Sequence, residues 1–199
     1  MNRFVYHGLT RITDDDGFLI DLKYASEDNF TGIVHYETEL CLVHNDILIA
    51  LQNAAKQFQR DGLQLKILDA YRPMTVQKAL YEATPEDLKA YVPAPSANAP
   101  HPRGCTVDVT LADKNGKELA MPTGFDDFSE KAHADFLALP QKQRENRDYL
   151  IRVMNRFGFE VSPLEWWHFN YRGWREYPLL DIRFSEFLQE ISKIGRAHV

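Results

Sequence analysis

Between Val43 and Gln59 the apolar residues Ile47, Leu48, Leu51, Ala54, Ala55 and Phe58 recur at a spacing near 3.6, which puts them on one face of a helix. Asn45 or Asp46 stands where an N-cap belongs, and Gly62 lies beyond the end. Gln141 to Phe157 predicts a second helix, with Tyr149, Leu150, Val153, Met154 and Phe157 on one side and Gly158 as its C-cap. Thr75 to Tyr91 predicts a third, interrupted at Pro85, and Phe184 to Ile194 is weakly helical. Alternation and short apolar runs predict strands at Phe18 to Tyr24, Leu63 to Tyr71, Gly104 to Leu111 and Glu165 to Tyr171. Asp28 to Gly32 supplies the turn after the first, and Arg72-Pro73 closes the second.

The connections carry their own signals. Tyr91 to Pro102 contains Pro93, Pro95, Pro100 and Pro102, so it is an irregular loop of a length that suits a flap. Asp113 to Lys117 is a hairpin-like turn followed by a short strand, and Phe159 to Val161 leads out of the second helix. Asp108 lies amid β-branched residues, an unusual place for a carboxylate. On a regular strand Glu165 and His168 would point to opposite faces, so a shared site requires a departure from strand geometry or a position at its edge. Gly195 to Val199 reads as a frayed or appended end.

Composition narrows the class. With 199 residues, 44% of them hydrophobic, the chain suits one good-sized core, and residues 1–199 are expected to form a single domain. A formal charge of −6 argues against nucleic acid or an anionic membrane as the main partner. The first sixteen residues carry Asp14, Asp15 and Asp16 and no apolar signal core, and no run of eighteen apolar residues follows, so a cytoplasmic protein is expected. Cys41 and Cys105 are too few for a disulfide framework and are expected to stay reduced. Neither an internal repeat nor a Gly-rich phosphate loop is present. The oligomeric state is not legible.

A catalytic zinc needs three ligands of His or carboxylate type and one open position, and His101, Asp108 and His168 meet that requirement if a turn at Arg103-Gly104 lets loop and strand converge. Taken singly, each has an ordinary reading as a surface, core or hydrogen-bonding residue. Beside such a metal, Glu165 would act as general base on the attacking water and then hand the proton to the leaving amine. Arg72, at the end of a strand, could stabilise the oxyanion of amide hydrolysis or serve as a structural guanidinium. Trp166 and Trp167 suit core and pocket wall. Cys105 lacks a positioned partner for a thiol nucleophile, and Ser96 lacks a nucleophile elbow.

Taken together, Asp-Leu-Lys-Tyr-Ala (21–25), Asp-Asn-Phe-Thr-Gly (28–32), Asp-Ala-Tyr-Arg-Pro (69–73), His-x-Arg-Gly with Val-Asp-Val-Thr-Leu (101–111), Gly-Phe-Asp (124–126) and Glu-Trp-Trp-His (165–168) resemble the zinc D-alanyl-D-alanine dipeptidases, relatives of the D,D-carboxypeptidases. The resemblance runs from about residue 18 to 180 with the motifs in order. It implies an α+β, hedgehog/D,D-peptidase-like fold, with a central, largely antiparallel sheet flanked by helices. It also implies one zinc per chain on His101, Asp108 and His168, Glu165 as base, and Arg72 as transition-state stabiliser. Tyr24 and Asp126 would line the pocket near the substrate's amino group, Trp166 would form part of its wall, and Asp69 would stand behind the ligands. The implied partner is a small D,D-dipeptide from cell-wall metabolism. The chain departs from the vancomycin-resistance members, which carry two serines before the first histidine where this one has Ala99-Pro100, so strict D-Ala-D-Ala preference does not carry over. The rivals are a D,D-carboxypeptidase acting on longer wall peptides and a zinc-stabilised binding module without turnover.

Overall fold

The computed structural model describes residues 3–197. In chain order the elements are β1 (Leu9–Arg11), β2 (Leu19–Ile20), β3 (Leu42–His44), α1 (Asn45–Arg60), β4 (Leu63–Asp69), α2 (Met74–Ala83), β5 (Thr106–Asp113), α3 (Gln141–Arg156), β6 (Phe159–Val161), β7 (His168–Tyr171) and α4 (Phe184–Ala197). Five strands form a sheet in the order β2-β4-β5-β7-β6, and β1 pairs with β3. Only the β2–β4 pairing is parallel in the larger sheet, so the fold is α+β with a largely antiparallel sheet, as expected.

The two strongest periodic patterns became α1 and α3. Ile47, Leu48, Leu51, Ala54, Ala55 and Phe58 are all buried on α1, which packs on β4 and α3. The cap differs by one residue: His44 precedes the helix, and its Nδ1 accepts from the Asp46 amide at 3.3 Å, a role that an imidazole lone pair can fill like an Asn oxygen. Gly158 follows α3 at φ 94°, as a helix end requires. Pro85 does break the third helix, leaving α2 and a short 3-10 turn at Glu86–Leu88.

Two predicted strands shrink. Phe18 to Tyr24 keeps strand pairing only at Leu19–Ile20, because Lys23–Ala25 wind into a 3-10 turn; the inward alternation of Leu22 and Tyr24 persists without a ladder. After the Asp113–Lys117 turn, the expected strand reduces to one bridge between Ala112 and Glu118. The last residues behave differently from the expected frayed end, since Gly195–Ala197 continue α4; His198 and Val199 lie outside the described residues.

Register matters most at the sheet centre. A shift between Ile67 and Asp69 sets Asp69 opposite Asp108, and Asp108 stands opposite His168, so three polar residues lie in a row across β4, β5 and β7. Upstream of β5, Gly104 takes φ 68° and its carbonyl accepts from the His44 amide at 2.7 Å. A Cβ there would sit 2.6 Å from Leu9 Cδ2 and 3.0 Å from the His44 nitrogen. Gly104→Ala is therefore expected to cost on the order of 2–3 kcal/mol in chemical denaturation, and a loss under about 0.5 kcal/mol would contradict this account.

Candidate active site

His101 opens a single 3-10 turn, His101–Arg103, that Gly104 ends in the left-handed region. Its Nδ1 donates to the Ala70 carbonyl at 2.7 Å, which leaves Nε2 as a lone pair. His168 uses the opposite atoms: Nε2 donates to Asn170 Oδ1 at 3.2 Å, and Nδ1 is left free. These two ring nitrogens stand 3.3 Å apart. Asp108 completes the set, with Oδ1 at 3.1 Å from His168 Nδ1 and Oδ2 at 3.3 Å from His101 Nε2.

Two lone pairs and a carboxylate thus converge, all buried, with one atom from each residue lying within 4.8 Å of the others. Asp108 Oδ1 is buried and accepts no hydrogen bond. Such a set repels itself unless a cation or protons lie between, and it fits zinc: bonds of about 2.0–2.1 Å in a tetrahedron space ligands by about 3.3 Å. Burial alone would lift the Asp108 carboxyl, but the two histidines outweigh it and hold it below the usual range. His168 is likewise shifted up, because Asp108 overcomes the cost of burying the imidazolium.

Glu165 resolves the geometric conflict posed by the sequence. It lies before β7, which begins at His168, and the His168 amide bonds to the Glu165 carbonyl at 3.3 Å, closing a turn across the two tryptophans. The turn brings the Glu165 carboxylate to 3.7 Å from His168 Nδ1. Burial pushes its pKa up to about 7; Asp108 adds to the rise, while His168 and Arg72 oppose it.

Arg72 is held from three sides. Its Nε and Nη2 donate to Asp69 Oδ2 at 3.0 and 2.7 Å, and its Nη1 donates to Gln77 Oε1 at 2.9 Å. Asp69 also accepts from the Tyr36 hydroxyl at 2.5 Å. Nη2 stands 3.7 Å from Asp108 Oδ2, so one guanidinium separates two carboxylates that the register places face to face. Burial disfavours the charge, but Asp69 first, then Tyr24, Tyr36 and Asp108, hold it firmly protonated.

Around these groups is a narrow cavity lined also by Tyr24, Tyr91, Val92, Pro93, Asp126, Phe128 and Trp167. The Tyr24 hydroxyl lies 3.1 Å from both Asp126 oxygens. Asp126 adopts φ 58°, a conformation open to Asp but costly for most residues. Burial, then Asp108 and Glu165, raise its carboxyl well above the ordinary value. Trp166 does not reach this cavity. Its indole turns away to donate to Thr123 Oγ1 at 2.9 Å beside a separate cavity, and Trp167 takes the expected place in the wall. Ala99 and Pro100 are buried and line no part of it.

Sequence reasoning missed two uncharged amides, Asn170 and Gln77. Asn170 holds His168 while accepting from Thr106 Oγ1 at 2.8 Å, and Gln77 contacts Arg72. Asn170 lies two residues beyond His168 on the same strand face, which was a readable clue; Gln77 left none. Cys105 is a buried free thiol pushed up to about 12 by burial, which fits its rejection as a nucleophile.

Residues 6–190 match the family model for the M15 peptidases described as D-ala-D-ala dipeptidase. The D-alanyl-D-alanine dipeptidase of Escherichia coli (strain K12) is 40% identical over 180 residues, covering 90% of each chain. That of Enterococcus faecalis (strain ATCC 700802 / V583) is 30% identical over 171 residues, 75% of this chain and 83% of the relative. A vancomycin-resistance D,D-dipeptidase solved in complex with a D-Ala-D-Ala phosphinate analogue is 17% identical with a TM-score of 0.44, covering 92% of this chain and 72% of that one.

Proposed function

The chain belongs to the D-Ala-D-Ala dipeptidase family, and we propose that it hydrolyses D-Ala-D-Ala or a close D,D-dipeptide with one zinc ion held by His101, Asp108 and His168. The observation that carries this reading is the convergence of two histidine lone pairs on one buried carboxylate, His168 facing Oδ1 and His101 facing Oδ2, with Oδ1 lacking a hydrogen-bond donor among the described residues. Zinc bound there would supply Lewis-acid activation of water and of the scissile carbonyl.

The side chains supply the rest. Glu165 takes a proton from the attacking water and gives it to the departing nitrogen as the C–N bond breaks, which releases two amino acids. A carboxylate near neutral pKa suits both transfers. Arg72 presents fixed donors to the oxygen that gains charge when the carbonyl becomes tetrahedral. At the other end Asp126, oriented by Tyr24, receives the substrate's ammonium, and that charge favours the ionised form of a carboxyl that burial pushes up. Because Ala99 and Pro100 lie outside the cavity wall, this pair carries recognition of the amino end.

Tyr91 and Phe128 stack with centroids 5.3 Å apart on the cavity wall, which favours a short substrate over a wall peptide. The chain would then act in the cytoplasm, in precursor turnover, salvage or glycopeptide resistance. No helix among the described residues is long and apolar enough to cross a membrane. Incubation of the zinc-loaded protein with D-Ala-D-Ala, and separately with a pentapeptide ending in D-Ala-D-Ala, tests this by counting released amine. The dipeptide is expected to have a kcat/KM at least about 100-fold higher. The opposite ranking would make the protein a carboxypeptidase, and no release from either with one zinc per chain would make it a binding module.

A further inference from the structure

Gln77 lies in α2 with no exposed surface, between two parts of the site that belong to different chain segments. Its Oε1 accepts from Arg72 Nη1 at 2.9 Å, and its Nε2 donates to the Pro93 carbonyl at 2.7 Å. Chemistry fixes the orientation of the amide, because a guanidinium only donates and a carbonyl only accepts; a flipped amide would oppose like groups at both ends. Arg72 spends Nε and Nη2 on Asp69, so Gln77 supplies the anchor on the remaining arm of the guanidinium. Pro93 ends the Tyr91-Val92-Pro93 strip that lines the cavity, and it belongs to a loop lacking regular structure from Lys89 to Pro100.

We propose that Gln77 is a positioning residue that couples these two parts, orienting the Arg72 guanidinium and latching the Tyr91–Pro93 strip over the cavity through one side-chain amide. The kinetic half rests on Arg72 acting as stabiliser of the oxyanion; the latch does not. A substrate that displaces the strip on entry therefore also acts on Arg72, and closure of the strip returns the guanidinium to its place.

Two variants of the zinc-loaded protein separate the halves. Gln77→Met keeps the volume and makes neither bond. Gln77→Glu keeps an acceptor for Arg72 but sets a second acceptor against the Pro93 carbonyl, so the latch opens while the anchor holds. Lys89 is the only Lys or Arg between Lys78 and Arg103, so trypsin cleavage after it reports the state of the strip independently of activity. Cleavage after Lys89 is expected to be about tenfold faster in both variants. With D-Ala-D-Ala, KM should rise in both, while kcat falls about tenfold in Gln77→Met and by less than about threefold in Gln77→Glu. Unchanged cleavage in both variants overturns the latch, as does cleavage that starts across the whole chain instead of after Lys89. Equal kcat in the two variants overturns the anchor. If wild type does not hydrolyse D-Ala-D-Ala, the proposed function fails, and the cleavage rates still test the latch.

Discussion

Glu165→Gln is expected to lower kcat on D-Ala-D-Ala by about 10²–10⁴ while leaving one zinc bound per chain. The amide has nearly the shape of the carboxylate, and the turn that carries it is closed by backbone, Glu165 carbonyl to His168 amide, so the ligand side is undisturbed. What is lost is the ability to accept a proton near neutral pH, which this carboxyl has because burial pushes it up to about 7. The substitution also removes a carboxyl that raises the neighbouring Asp126, so the thermal midpoint is expected to hold or rise. A loss in kcat accompanied by loss of zinc would place Glu165 among the ligands instead. A kcat within tenfold of wild type, with zinc retained, would remove Glu165 from the chemistry.

The legibility of this site from sequence followed the range of each signal. Helices α1 and α3 were readable because burial repeats every three to four residues, a pattern contained within the segment itself. The candidate set His101, Asp108 and His168 was weak residue by residue, each having an ordinary reading, and it came from the motifs taken together and in order; the structure brings the three side chains within reach of one another. Register was not readable. The shift at Leu68 that places Asp69 against Asp108 depends on pairing between strands, and no local pattern encodes it. The need for a departure from strand geometry at Glu165 was legible from its spacing to His168, but the turn's form was not, and that turn sent Trp166 to a different cavity from Trp167. Gln77 went unseen because an uncharged amide has no distinctive chemistry until its partners are known, whereas Asn170 was marked by its place two residues beyond His168 on the same strand face.

Arg72→Lys isolates the geometry of the charge from the charge itself, and it is expected to lower kcat/KM by about 10²–10³ with only modest loss of stability. An ammonium can still stand between Asp69 and Asp108, so the two facing carboxylates remain compensated. It cannot reproduce the fork that donates to Asp69 through Nε and Nη2 while Nη1 reaches Gln77, and a fixed donor becomes a mobile one. Arg72→Met removes the charge as well. Among the described residues it leaves buried Asp69 with the Tyr36 hydroxyl as its one side-chain donor, so it is expected to cost on the order of 3–5 kcal/mol in denaturation in addition to activity. If lysine restores activity to within about tenfold, Arg72 acts on the reaction only as a charge; if both variants unfold to the same extent and lose activity together, its role is structural. Loss of activity in the folded lysine variant, with KM little changed, is the result that assigns the planar donors of Arg72 to the transition state.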